Sequence, residues 1–422
     1  MIVLGTVSLT APIALAGTST ASPAIAAKAG DHSQNEDTVL TGGTGTPSSA
    51  LPEQAASGKT FTTGEITGKH FSSIGLSWKK DSAAGDGLTA QARIHREGAW
   101  EPWREVPLEL DEGMAGEAER AGSPAFYTGD ADGAELRFTS PQGSLPQDLR
   151  LSFIDPAPGT AASSSGRQAG TAQAGQPEVK LRKDWGADET LADPGYKLQP
   201  SLKAAVVHHT DHTATGSNTY TREEVPQIIN GIYVHVIRNL GYGDFPYHFV
   251  VDRFGGIWEG RKGSVEMQPG TEVPGIPGGH ARGFNTGSFG VAMLGSFEPH
   301  NRDAGPGPQP SEAMVSSLAD VLAWKGSQYQ MDPEGSTQLV SGGGGGSNPH
   351  PAGTVLDVNV ISSHRDVNTT SCPGGKLYDM LPELRKQVAQ RTGQPRSFMR
   401  SRQLADGTFV LGRSGSFCLR AR

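Results

Sequence analysis

Two stretches of this chain lack the apolar residues that a folded core requires, and they divide it. Residues 29–59 are rich in Gly, Ser, Thr and Asp without hydrophobic periodicity, and residues 157–178 are dominated by Ala, Gly, Ser and Gln. Segments of that composition cannot bury enough surface to offset the entropy of ordering, so both are expected as linkers. The 57 Gly and 29 Pro, with aromatic residues at only 7%, fit folded domains joined by such connections within 422 residues. The expected domains span 60–156 and 179–395, followed by a tail, 396–422, with little pattern.

Residues 1–28 read as an export signal. The broken apolar run Met1 to Gly17 is too short to span a bilayer comfortably, and small residues after it offer A-x-A cleavage sites near Ala26 or Ala29. The basic start of such a signal is missing. The expected destination is secretion or association with a cell wall, with no stable membrane insertion. The net charge of −8 and the lack of a long basic run argue against nucleic acid as a partner. A disulfide between the two cysteines, Cys372 and Cys418, is open in an oxidising compartment, but the tail residue Cys418 reads as a lone thiol.

The 60–156 segment alternates with period two. Ala90-Gln-Ala-Arg-Ile-His-Arg96 and Leu149-Arg-Leu-Ser-Phe153 place one face in a core and one in water, and Glu97-Gly98 and Asp132-Gly133 mark turns. A small antiparallel β-sandwich or jelly-roll-like domain is expected. Trp78, Trp100 and Trp103 form either a sugar-stacking platform or part of a small core, and core filling is favoured.

The 179–395 segment mixes periods. Ala204-Ala-Val-Val-His-His209 is continuously apolar up to its histidines, as a central strand is. Thr221-Arg-Glu-Glu224 has the form of a capping box, Ile228 to Leu240 follow helical spacing, and Gly241 ends that helix. Strands are expected at Tyr247–Val251, Phe289–Leu294 and near Val358–Ile361, with helices over about Ser311–Gln328 and Leu377–Gln390. The order β-α-β-β-α-β-α predicts an α/β fold, a mixed central sheet flanked by helices. Ser341-Gly-Gly-Gly-Gly-Gly-Ser347 reads as a flexible insertion before the last strand.

Three residues of this segment suggest a metal site. His208 ends an apolar strand, His364 follows another apolar run, and Cys372 stands eight residues further on, in a tight loop leading into a helix. Imidazole nitrogen and thiolate sulfur suit tetrahedral Zn²⁺, and three protein ligands leave one position for water, which the ion makes acidic enough to hydrolyse an amide. Each residue alone also has a plainer reading, a hydrogen-bonded strand-end histidine or a small buried thiol.

Six ordered strings add family context: Trp185-Gly-Ala187, Val206-Val-His-His-Thr210, Tyr247-His-Phe-Val-Val-Asp252, Gly279-His-Ala-Arg-Gly-Phe-Asn285, Ser288-Phe-Gly-Val-Ala-Met-Leu-Gly295 and Ser363-His-Arg-Asp-Val-Asn-Thr-Thr-Ser-Cys-Pro-Gly374. Together they resemble the peptidoglycan-recognition proteins and phage lysozyme-type amidases, over about Leu181 to Val388. The resemblance implies zinc held by His208, His364 and Cys372, and the Cys, which recognition-only members typically lack, favours an enzyme. Tyr247 matches a catalytic tyrosine whose phenol orients water or donates to an oxyanion, although Pro246 stands where the family often has Gly. Thr370 matches a position where phage amidases carry Lys and animal amidases Thr, which leaves a weaker oxyanion role or a plain loop residue.

His280, Arg282 and Asn285 fall in the segment that lines the substrate groove of similar proteins. Glu259 and Arg261 match the family's Glu-Gly-Arg, or else form a surface ion pair. The implied activity is hydrolysis of the amide between N-acetylmuramic acid and L-alanine in peptidoglycan, by a monomer whose partners are the muropeptide stem and glycan. Two alternatives stay open: a wall-binding module that does not cut, and a zinc peptidase acting within the stem peptide.

Overall fold

The computed structural model describes residues 35–44, 46–50, 53–54, 59–80, 87–108, 119–156, 175–192, 195, 197–211, 218–298 and 308–392, with the backbone of 401–403 and 409–411. The signal-like segment 1–28, most of the 157–178 stretch, and Cys418 lie outside the described residues.

The first domain is antiparallel. Its strands follow the order Asn35–Val39, Arg150–Ile154, Ile66–Lys79, Phe126–Thr139, Thr60–Thr62, Glu53–Gln54, and Thr89–Arg96 pairs with the far half of Phe126–Thr139. Period-two alternation works as expected in Thr89–Arg96, where Ala90, Ala92 and Ile94 point into the core. Two expectations need correction. Asn35–Val39, inside the stretch read as a linker, is an edge strand paired with Arg150–Ile154; its polar residues mask it, because an edge strand keeps one side in water. Of the three tryptophans only Trp78 joins the core; Trp100 and Trp103 are half-buried outside it, with the Arg93 guanidinium 4.8 Å and 5.3 Å from their ring centres and Arg137 4.5 Å from Trp103. In the tail, 401–403 and 409–411 pair as a short hairpin.

The second domain has a mixed sheet. Ala204–His209 is an interior strand, parallel to the central Ser288–Met293 on one side and to the edge strand Ile361–Ser363 on the other. Phe249–Val251 continues the parallel set, and antiparallel Ile257–Glu259, a strand too short to read from periodicity, closes one edge. Helices α1 (Val225–Val234), α2 (Glu312–Gln328) and α3 (Gly375–Arg391) bury apolar faces in one shared core with that sheet. Ser311 caps α2 by accepting the Met314 amide. The box at Thr221 is only half made: Glu224 accepts the Thr221 amide, and the regular helix starts at Val225. Among the described residues no helix is long and apolar enough to cross a membrane.

The Gly-rich stretch is not a loose insertion. It connects the antiparallel pair Ser336–Val340 and Val355–Asn359, and its backbone is tied down: Gly342 donates to Gly283, and Thr369 donates to Ser347. Its carbonyls also serve side chains, Gly345 accepting from Arg282 and Gly343 from Asn348.

The two domains share a close contact. Along Phe71–Trp78, the residues Ile74, Leu76 and Trp78 fill the first core, while Ser73 and Gly75 meet α1 and the π-helical turn His235–Asn239 that extends it. A methyl on Gly75 would overlap the His235 ring, and one on Gly231 would lie 2.8 Å from Ser73 Oγ. His235 Nε2 donates to Ser123 O at 2.9 Å, and Asn239 Nδ2 to Asp37 Oδ1 at 3.2 Å. Gly75→Ala is therefore expected to cost about 1–3 kcal/mol, as overpacking of a filled core does. The check is a lower urea midpoint with an unchanged slope; a wild-type midpoint contradicts the close contact between domains.

Candidate metal centre

Parallel pairing builds the site. Val207 lies opposite Ser363, so the next residues along, His208 and His364, leave the same end of neighbouring strands. Their rings sit 4.6 Å apart. Cys372 enters from the loop before α3, and its Sγ stands 3.6 Å from His208 Nδ1. One donor atom from each of the three residues falls within 4.8 Å of the others, and all three side chains are buried. Bonds of about 2.0 Å to nitrogen and 2.3 Å to sulfur at a tetrahedral angle separate the two donors by about 3.5 Å. The observed nitrogen–sulfur spacing fits that geometry. Among the described residues the group comprises three donors, one from each of His208, His364 and Cys372.

The surrounding residues hold these donors. Asp366 accepts from the Ser363 amide at 2.8 Å, from Ser363 Oγ at 2.9 Å and from Tyr378 OH at 3.0 Å, fixing the turn that carries His364. The bond to Asp366 also raises the Tyr378 pKa above its ordinary value. Arg365 clamps the cysteine loop: its amide donates to Cys372 O at 3.0 Å and its guanidinium to Ser371 O and to Glu298. Glu298 in turn accepts the Gly375 amide at 2.6 Å. The second histidine of the pair reaches the cluster through its backbone, its amide lying 3.4 Å from Cys372 Sγ. Its ring stays out of the donor set, as alternation along a strand requires. Sequence reasoning overlooked Glu298 and the His209 amide; the Arg-Asp after His364 was the available signal for the clamp.

The remaining candidates divide. Tyr247 is buried with its ring 5.1 Å from that of His208 and its hydroxyl donating to His209 O at 3.4 Å, so it belongs to the centre. Thr370 is half-buried and its Oγ1 accepts the Cys372 amide at 3.1 Å, which makes it a brace of the metal loop. Of the groove candidates, His280 is withdrawn from solvent, whereas Asn285 is half-buried. His280 is fully buried behind His208, and the Asn285 Oδ1 is taken up by the amides of His280 and Ala281. Arg282 remains half-exposed, donating to Gly345 O at 3.1 Å. Glu259 and Arg261 are not a surface pair either: both are buried, and Arg261 donates to Phe245 O at 3.1 Å. Burial pushes the Glu259 carboxyl up to about 7.

Asp366→Ala removes an ionised acceptor of three bonds and is expected to lose about 2–3 kcal/mol of stability, given the usual worth of hydrogen bonds to charged groups. In the same variant Tyr378 should ionise at lower pH, read by ultraviolet difference titration. An unmoved midpoint and phenol titration contradict this assignment.

Residues 198–375 match the family described as N-acetylmuramoyl-L-alanine amidase, and residues 29–174 match one described as Rv3811 N-terminal galactose-binding domain-like. Peptidoglycan-recognition protein SC2 of Drosophila simulans is 23% identical over 48% of this chain and 83% of its own length. The human N-acetylmuramoyl-L-alanine amidase is 26% identical over 49% of this chain but only 28% of its own. Among solved structures, wild-type Drosophila PGRP-LB aligns at 18% identity and a TM-score of 0.33, over 48% of this chain and 92% of that one. The domain that carries the His208, His364 and Cys372 cluster, residues 198–375, is thus similar to the N-acetylmuramoyl-L-alanine amidases and the peptidoglycan-recognition proteins.

Proposed function

We propose that this protein is a zinc-dependent N-acetylmuramoyl-L-alanine amidase acting at the cell wall after export. The observation that carries the reading is the convergence of two imidazoles and a thiol, all buried, with the 3.6 Å nitrogen–sulfur spacing that one tetrahedral zinc needs. His208, His364 and Cys372 would hold the ion. When bound, zinc acidifies a water molecule and polarises an amide carbonyl, so the protein itself need supply no nucleophile.

What the chain supplies is placement and proton donation. Hydrolysis adds water across the bond between the lactyl carbonyl and the L-alanine nitrogen: the acyl carbon gains a hydroxyl and the amine gains a proton. Negative charge gathers on the carbonyl oxygen on the way. Tyr247, packed on the His208 ring, would offer its hydroxyl to that charge. Thr370 acts first by bracing the Cys372 loop and second, more weakly, at the oxyanion. The Arg365–Glu298 pair keeps the loop from swinging the thiol out of the cluster.

Recognition without cleavage is the second reading, because several relatives bear names that record recognition of peptidoglycan. One experiment separates the readings. Purified wall and defined muropeptides are treated with the protein, with and without chelator, and the products are weighed by mass spectrometry. Amidase action releases intact stem peptides beginning with L-alanine; a peptidase cuts inside the stem; a recognition module binds and releases nothing. Cys372→Ala is expected to lose zinc and at least about a hundredfold in activity, since the removed ligand holds the group that supplies several kcal/mol, while the circular dichroism spectrum stays near wild type. Stem-peptide release by Cys372→Ala at the normal rate contradicts the mechanism.

A further inference from the structure

We infer that His280 is a positioning residue: it fixes which nitrogen of His208 faces the metal, and so sets the metal affinity of the site. The inference rests on the zinc reading above and deepens it. His208 Nδ1 is turned toward Cys372 Sγ, while its Nε2 lies 3.0 Å from Nδ1 of His280. A contact of that length between two imidazole nitrogens holds one proton. The nitrogen that offers its lone pair to a metal cannot carry the proton, so it resides on Nε2 of His208 and is donated to His280. His280 Nδ1 is then the acceptor, and its own proton sits on Nε2, where no hydrogen-bond partner stands among the described residues. The ring is therefore committed to a single polar task.

Its pose is enforced from several sides. Asn285 Oδ1 accepts the amides of His280 and Ala281 at 2.8 Å and 2.9 Å and sets the backbone. Gly278 and Gly290 flank the ring, and a Cβ on either would run into it. His248 packs edge-on with ring centres 5.7 Å apart, yet both of its nitrogens are spent elsewhere. Its Nδ1 accepts the Gly290 amide at 3.0 Å, and its Nε2 donates to Ile276 O at 2.8 Å. His248 thus holds His280 by shape and cannot take the proton from it. The string Gly279-His-Ala-Arg-Gly-Phe-Asn285 becomes a support for the metal ligand rather than a wall of the groove.

The test reads metal affinity, not catalysis. Zinc dissociation constants are measured by chelator competition for wild type, His280→Leu, His280→Gln and His280→Asn, with folding checked by circular dichroism. The Asn carboxamide oxygen falls where Nδ1 does, so His280→Asn should keep affinity within about threefold. Leu removes the acceptor, and Gln carries its polar group beyond the Nδ1 position; both should weaken binding by about 10–100-fold, the usual cost of losing an outer partner of a ligating histidine. Should the Leu variant fail to fold, the Gln and Asn pair carries the same contrast. Equal affinity in all four proteins overturns the role of His280 while leaving the metal site intact. A wild type that takes up no zinc overturns the metal reading and this one with it.

Discussion

The parallel pairing of Ala204–His209 with Ile361–Ser363 is the constraint on which the site depends. In that register the two chains run out at the same end of the sheet, so His208 and His364 meet without any loop having to carry them. Ligands of open α/β sheets gather beyond the carboxyl ends of strands for the same topological reason. Slipping the pairing by one residue would send one imidazole to the opposite face. The apolar burial of Ala205, Val206 and Val207 on both sides of the sheet is what forbids the slip.

The third donor has no strand to fix it and is held instead by polar bonds. Cys372 sits between Thr370, which accepts its amide, and Arg365, which binds its carbonyl and reaches Glu298. This division is physical: strands set position through many weak contacts, whereas a loop needs a few strong ones. It also makes the Ser-His-Arg-Asp string a single device, with Asp366 holding the histidine turn and Arg365 the cysteine loop.

Much of this was legible in the chain. The unbroken apolar run before His208 and the three helices packed on a mixed sheet follow from local pattern, and the structure bears them out. What escaped reading was set by distant contacts. Phe71–Trp78 alternates apolar with small residues, which looks like a water-facing strand, but Ser73 and Gly75 are small because α1 and His235 lie against them. Asn35–Val39 carries acid and amide side chains fit for an edge, and nothing local marks it as a strand. His280 stands in a polar, glycine-bearing string that reads as surface; only the fold shows that Gly278 and Gly290 make room for its ring beside His208. Gly-rich residues 341–347 read as loose because the partners of their backbone, Gly283, Arg282 and Thr369, are far away in sequence.

The central claim concerns one ion and three named residues, and X-ray absorption at the zinc edge tests it most directly. The account predicts a first shell of one sulfur near about 2.3 Å and nitrogen or oxygen neighbours at roughly 2.0–2.1 Å, with two imidazole scattering patterns. A zinc shell without sulfur, or one made up of oxygen neighbours alone, would contradict it.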